Sequence, residues 1–158
     1  MAEILIREYK PADRNACIAV FNSNVPKFFA ESELEHFNAW LDAQDEMHPA
    51  YSNAVEDDFY VALLDGKIAG CAGFYIPRDE HVAKLTWGMV DASLNRKGVG
   101  KALLVHRINS VEELFPGYKI TLDSTPHSHA FFEKMGFKTA KIEKGFFANG
   151  LDKYEMVL

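Results

Sequence analysis

The period of the apolar positions switches between two and about 3.6 several times along the chain, which predicts alternating strands and helices. Ile4 to Tyr9 reads as a strand, and Pro11 with Asp13 marks the mouth of a helix carrying Cys17, Ile18 and Phe21 on one side. A second helix is predicted to open at Ser32, with Glu35 closing a capping box and Leu34, Phe37 and Leu41 as its stripe. The stretch from Asn22 to Ala30, containing Pro26, separates the two. Phe59–Leu64 and Lys67–Ile76 flank Asp65-Gly66, a strong short-range hairpin signal. A further strand is predicted over His81 to Asp91, where the interior Gly88 implies a bulge or a close backbone approach.

A long helix follows, with Leu104, Ile108, Val111 and Phe115 on one stripe and Pro116-Gly117 as its stop. Lys119 to Asp123 predicts a short strand. The next helix is expected to use Thr125 as N-cap and Pro126 as its first residue, with Gly136 just past its end. Two closing strands start at Phe137 and at Asp152, with Ala148-Asn149-Gly150 turning between them. The expected order is βααβββαβαββ: an α/β (α+β) fold with a mixed sheet and helices on its faces.

The chain has 158 residues, 48% hydrophobic and 25% charged, so one folded domain spanning 1–158 is expected, rather than a disordered chain. With 17 basic against 23 acidic side chains and a net charge of −6, a nucleic-acid partner is not expected. Cys17 and Cys71 sit in apolar surroundings and read as buried thiols of a reducing compartment. The start of the chain shows no secretory pattern and no apolar run approaches a membrane span, so a soluble cytoplasmic domain without membrane contact is expected.

One segment departs from the acidic background. Asn95-Arg96-Lys97-Gly98-Val99-Gly100-Lys101-Ala102 lies between a strand and a helix, with three cations beside two glycines. Unpaired N–H groups at a helix start favour an anion, and glycine lets a phosphate approach closely. A P-loop would need glycine where Asn95 stands and a hydroxyl residue where Ala102 stands; a dinucleotide fingerprint would need glycine at Leu103. Both fail.

The loop is similar to the Arg/Gln-x-x-Gly-x-Gly/Ala acetyl-coenzyme A loop of the GNAT superfamily of N-acetyltransferases. Ser128-His129-Ala130-Phe131-Phe132-Glu133-Lys134-Met135-Gly136-Phe137 resembles that family's Ala-x-x-Phe-Tyr-Glu-Lys-x-Gly-Phe helix, and Ile6 to Asp13 its opening. The resemblance implies a mixed sheet of six to seven strands flanked by about four helices. It implies acetyl-CoA as cosubstrate, direct transfer to an amine and no metal. Backbone groups of Met89, Val90 and Asp91 would pair with pantetheine, an N–H near Met89 would polarise the thioester carbonyl, and Gly98 to Ala102 would hold the pyrophosphate. Asn95, Arg96, Lys97 and Phe132 complete the expected cofactor set. Two positions depart from the pattern: Asn95 replaces the usual Arg or Gln, and Phe132 replaces the tyrosine that often protonates the departing thiolate.

Ser124, His127 and His129 flank the fourth helix and are candidates for the missing acid, with at most one of the two histidines facing the cleft. Glu33, Glu35, Asp79, Glu80 and His81 fall in regions that border the acceptor site in the family, although Glu35 is expected in its capping box. For all of these, a solvated or capping side chain is the plainer alternative. Aromatic residues concentrate in the acceptor half (Phe28, Phe29, Phe37, Trp40, Tyr60, Phe74, Tyr75, Trp87), favouring a small-molecule amine over an exposed peptide. Phe146-Phe147 either packs on the sheet or forms part of a homodimer contact. The alternatives to an enzyme are a coenzyme A or acyl-CoA sensor, suggested by Phe132, and a partner-binding domain without cofactor.

Overall fold

Alternation along two long strands divides the core in two. On β2 (Ala54–Leu64), Phe59 and Val61 point to one face of the sheet and Tyr60 and Ala62 to the other. The first pair joins Cys17, Val20, Phe21, Phe37, Trp40 and Leu41 under α1 (Arg14–Ser23) and α2 (Leu34–Glu46). The second joins Leu103, Leu104 and Val111 of α3 (Val99–Leu114), with Phe137 closing the cluster beyond α4 (His129–Lys134). The computed structural model describes residues 3–94, 97–147 and 150–158.

Among the described residues the remaining strands are β1 (Ile4–Glu8), β3 (Lys67–Pro77), β4 (Val82–Val90), β5 (Lys119–Ser124), β6 (Lys138–Glu143) and β7 (Lys153–Val157). The seven form one sheet in the order β1-β2-β3-β4-β5-β7-β6. All neighbours are antiparallel except β4 and β5, which run parallel. The element order is the expected one. Asp65 and Gly66 turn the β2–β3 hairpin with φ of 50° and 85°, the pair of positive values a tight two-residue turn requires.

Local punctuation differs from expectation at two helix starts. The cap before α2 belongs to Glu33, whose carboxylate accepts the Ala30 N–H at 2.8 Å at the head of a 3-10 turn, Glu31–Glu33. Glu35 is exposed in the first turn of α2, and the glutamate cap sits two residues earlier than the Ser32–Glu35 spacing suggests, as half a capping box: Ala30 has no side-chain acceptor, and its backbone carbonyl takes the Glu33 N–H instead. Thr125 does not cap α4. It caps the turn that runs into α4: its Oγ1 accepts the His127 N–H at 3.2 Å, its carbonyl accepts the N–H of Ser128 and of His129, and Pro126 is the first residue of that turn, three residues before the helix proper. A proline reads the same at the start of a helix and in an isolated turn, and the contacts that separate the two are not local.

Asp58 on β2 is half-buried among Glu56, Asp57 and Glu8, and loss of solvent pushes its carboxyl up to about 6. Its native pKa lies above the unfolded value, so the native state holds a proton the unfolded chain has lost. Stability therefore falls as pH rises from about 4 to about 6. Asp58→Asn is expected to raise stability at pH 7 by about 1–2 kcal/mol and to flatten that pH window. Thermal melts of both proteins across the window check it, and an unchanged slope would contradict it.

Candidate active site

The site begins where two strands part. Pairing of β4 with β5 covers Val82–Lys119, Ala83–Ile120 and Lys84–Thr121, while β4 continues to Val90 and β5 to Ser124. Residues 85–90 are thus held by β3 on one side with no partner strand on the other. A cleft of about 530 Å³ fills the gap.

A bulge shapes this free edge. Cys71 pairs with Met89 and Gly73 with Thr86, so β4 carries one extra residue between them, at Trp87-Gly88. Trp87 adopts φ of 51°, outside the range a tryptophan normally occupies. The extra residue also switches faces: Ala83 and Leu85 point to the α3 side, whereas Trp87 and Met89 join the α1–α2 side. Trp87 therefore enters the acceptor half of the cleft, stacked on Phe29 at 6.0 Å, with its indole N–H donating to the Tyr51 hydroxyl at 3.1 Å.

One end of the cleft is the start of α3. Gly98 occupies the left-handed region at φ of 86° and no side chain caps the helix. The first intrahelical bond is Ala102 N–H to the Gly98 carbonyl at 3.0 Å, which leaves the N–H groups of Val99, Gly100 and Lys101 without helical partners. A methyl group on Gly100 would only touch Val90 and Phe131, at 3.6 and 3.9 Å, so the wall there is open to a bulky anion.

Met89, Val90, Gly98, Val99, Gly100, Lys101 and Phe132 line the cleft together. Lys97 is exposed on the loop beside it. Ala102 and Asp91 are not in the lining. The Asp91 N–H donates to the Ala69 carbonyl at 2.7 Å and its carboxylate accepts from Ser93, while the Val90 carbonyl accepts from the buried Asn24 amide at 2.9 Å. Asn95 and Arg96 lie outside the described residues.

Of the acid and base candidates, Ser124, His127 and Glu33 line the cleft. The Ser124 and Ser128 hydroxyls share a 2.7 Å hydrogen bond, and His127 stands edge-on to Phe28 at 5.7 Å. His129 instead stacks flat on Tyr154 at 4.4 Å and bonds Glu133 at 3.0 Å. Asp79, Glu80 and His81 are exposed in the β3–β4 turn, outside the lining, with His81 stacked on Tyr118. Glu35 is likewise outside it. Of the phenylalanine pair, Phe147 lines the cleft, and Phe146 is 54% exposed under the Lys153 ammonium.

Two lining residues escape a pattern reading. Asp123 follows the inward-facing Leu122, and alternation turns its carboxylate to the acceptor face. The residue keeps access to the open cleft, but the surrounding protein withdraws solvent from its carboxyl and raises it; Lys153 and Lys84 oppose the shift, and Glu155 and Glu143 add to it. Arg107 is 5% exposed and lies three residues after Leu104 and four before Val111, within the apolar stripe of α3. That position was the signal for it, since a charge on a buried stripe needs a reason.

An unpaired strand edge beside a glycine-relaxed helix start can take an extended amide-bearing arm and its phosphates. Comparison with known proteins decides which. Residues 20–137 match the family model described as the acetyltransferase (GNAT) family. The chain belongs to that family. A curated relative, the uncharacterized N-acetyltransferase YafP of Escherichia coli (strain K12), is 29% identical over 145 residues, covering 91% of this chain and 87% of its own. A proposed GNAT acetyltransferase from Desulfovibrio desulfuricans superposes with a TM-score of 0.78 at 24% identity, over 100% of this chain and 98% of its own. YncA, a proposed acetyltransferase of Salmonella typhimurium solved with its cofactor acetyl-CoA, gives 0.72 at 18% identity, over 99% and 93%.

The protein is thus an acyltransferase that uses acetyl-CoA. The free edge of β4 suits the amide-bearing arm, and the uncapped start of α3 suits the phosphates. Among the described residues, no three histidine, cysteine, aspartate or glutamate side chains gather as metal ligands, and no helix is long and apolar enough to cross a membrane.

Proposed function

We propose that this GNAT protein acetylates the primary amine of a small cationic molecule with an apolar body. The observation that carries the reading is the aromatic and acidic lining of the acceptor end. Phe28 and Phe29 from the segment before α2, Trp87 from the bulge and Phe147 from the β6–β7 loop wall it, with Glu33 and Asp123 among them. Aromatic faces favour an apolar or cationic body, and two carboxylates favour an ammonium.

The roles follow from placement. The start of α3, from Gly98 to Lys101, and the basic loop before it bind the phosphates. Residues 85–90 of β4 align the arm, with backbone N–H groups near the bulge polarising the thioester carbonyl. Asp123 receives the amine proton: among the described residues nothing hydrogen-bonds its carboxylate, whereas Glu33 is engaged at the Ala30 N–H. A raised carboxyl holds a proton more readily than an ordinary aspartate, as an acceptor of the amine proton must. Cys17 and Cys71 are buried and unbridged, which suits a reducing cytoplasm.

Thiol release from acetyl-CoA across polyamines, small aromatic amines, amino acids, aminoglycosides and peptides with free amino termini tests the acceptor class. A small cationic amine is expected to exceed every peptide in kcat/KM by about tenfold or more, the weight of about 1.4 kcal/mol of extra contact. A peptide leading the panel would contradict this reading. Phe132 keeps one rival in view, a sensor that binds acetyl-CoA without turnover. Saturable binding with no thiol release from any amine would favour it.

A further inference from the structure

The structure holds a buried positive charge that bonds two backbone carbonyls and has no carboxylate partner among the described residues. Arg107 projects from the middle of α3 toward the bulge of β4. Its Nη1 donates to the Gly73 carbonyl at 3.2 Å, at the register shift of β3, and its Nε reaches the Leu103 carbonyl of its own helix at 3.4 Å. No carboxylate pairs with it among the described residues. Its Nη2 faces Gly88, where a methyl group would sit 3.1 Å away, so glycine at the bulge makes room for the guanidinium. Arg107 also lines the cleft, beyond the last β4–β5 pair.

A buried cation without a counter-charge is costly, and replacing such a group by an apolar side chain often stabilises a protein. This one faces the space a ligand enters. Acetyl transfer ends with a negative sulfur in that space, and position 132 offers a phenyl ring where a hydroxyl would have protonated it. We propose that Arg107 holds the sulfur of coenzyme A as a thiolate, so that the leaving group departs without a proton from α4. The inference rests on the reading of the cleft as the acetyl-CoA site. The amine nitrogen bonds to the carbonyl carbon, the C–S bond breaks with its electron pair on sulfur, and the amine proton passes through the cleft carboxylate to water.

Burial pushes Arg107 down to about 10, so it stays charged through neutral pH. Its protein neighbours Cys71 and Tyr60 are buried and are themselves pushed up, which keeps them neutral. Lys101, His127, Asp123 and Glu33 face the same cleft from α3, the β5–α4 turn, β5 and the α2 entry. A fixed cation lowers the pKa of a nearby thiol below its ordinary value of about 8.5. Affinity for the free thiol form of coenzyme A must then rise with pH between the bound and free values, by about tenfold for each unit of depression.

The test is calorimetric titration of coenzyme A and of desulfo-coenzyme A, which lacks the sulfur, from about pH 6 to pH 9. Wild type, Arg107→Met and Arg107→Lys are compared, with ultraviolet thiolate absorbance read on the bound ligand. In the wild type, coenzyme A is expected to gain about tenfold in affinity relative to desulfo-coenzyme A as pH rises. Arg107→Met loses that gain in the ratio of the two affinities, whatever it does to both together, and Arg107→Lys keeps part of it. The other cleft groups are unchanged, so the difference isolates the guanidinium. A flat wild-type ratio overturns the proposal whatever the variants do, and so does a gain that survives in Arg107→Met. Wild type that binds neither ligand overturns the cleft reading and the proposal with it.

Discussion

Gly98→Asp is expected to weaken acetyl-CoA binding by about 100-fold to 1000-fold while leaving the fold intact. A carboxylate placed about 4 Å from a phosphate near a protein surface repels it by about 4 kcal/mol, and every 1.4 kcal/mol is a factor of ten. The strain of the substitution is smaller. Gly98 is left-handed at φ of 86°, a region aspartate visits more readily than most residues, and only the Ile4 methyl lies within 3.7 Å of a new Cβ. Gly98→Asn separates the two effects, since it shares the shape and the backbone requirement without the charge. It should lose less than about tenfold. Equal losses in the two variants would mean that the backbone, not the anion, sets the requirement at this position.

The largest effect on stability is expected at Gly73, where the constraint is space. A methyl group there would lie 2.6 Å from the Asp58 carbonyl oxygen and 2.9 Å from the buried Trp40 ring. Neither can retreat: one is the backbone of the neighbouring strand, and the other is packed against Phe59 and Tyr51. Gly73→Ala should destabilise by about 3 kcal/mol, the upper end of ordinary overpacking. For a domain of this size that corresponds to a melting temperature lower by roughly 6–12 °C. The Gly73 carbonyl also receives Arg107, so the surviving fold should show a disturbed bulge as well. A melt within about 2 °C of wild type would show that β2 and β3 can separate locally at no great cost.

What could be read from the chain follows the range of the interactions involved. The Asp65-Gly66 hairpin and the left-handed Gly98 at the start of α3 depend on residues adjacent in sequence, and each stands where local chemistry puts it. The cap of α2 and the start of α4 were misplaced by a few residues because serine, threonine and proline serve turns and helix starts alike. Only the Glu33 bond to Ala30 and the turn after Thr125 separate them. The face switch at Trp87 follows from a single inserted residue, whose position between Cys71 and Gly73 is fixed by β3. Arg107 and Asp123 are cleft residues through tertiary placement. The stripe of α3 marks Arg107 as buried but not as facing a cleft, and an aspartate at a strand end reads as solvated until the strands beside it part.

An acidic composition and a local phosphate site are compatible. Net charge describes the surface as a whole, and a phosphate site is built from a few N–H groups and cations at one helix start. In the proposed site Gly98 to Lys101 would supply those groups inside a chain of net charge −6.

The most direct measurement is amide hydrogen exchange of the wild-type protein, free and saturated with acetyl-CoA. Binding between the parted strands predicts slowed exchange in two segments at once, residues 85–90 of β4 and 98–102 at the start of α3, with Gly98→Asp removing both. No binding at millimolar acetyl-CoA, or protection confined to other segments, would contradict the account.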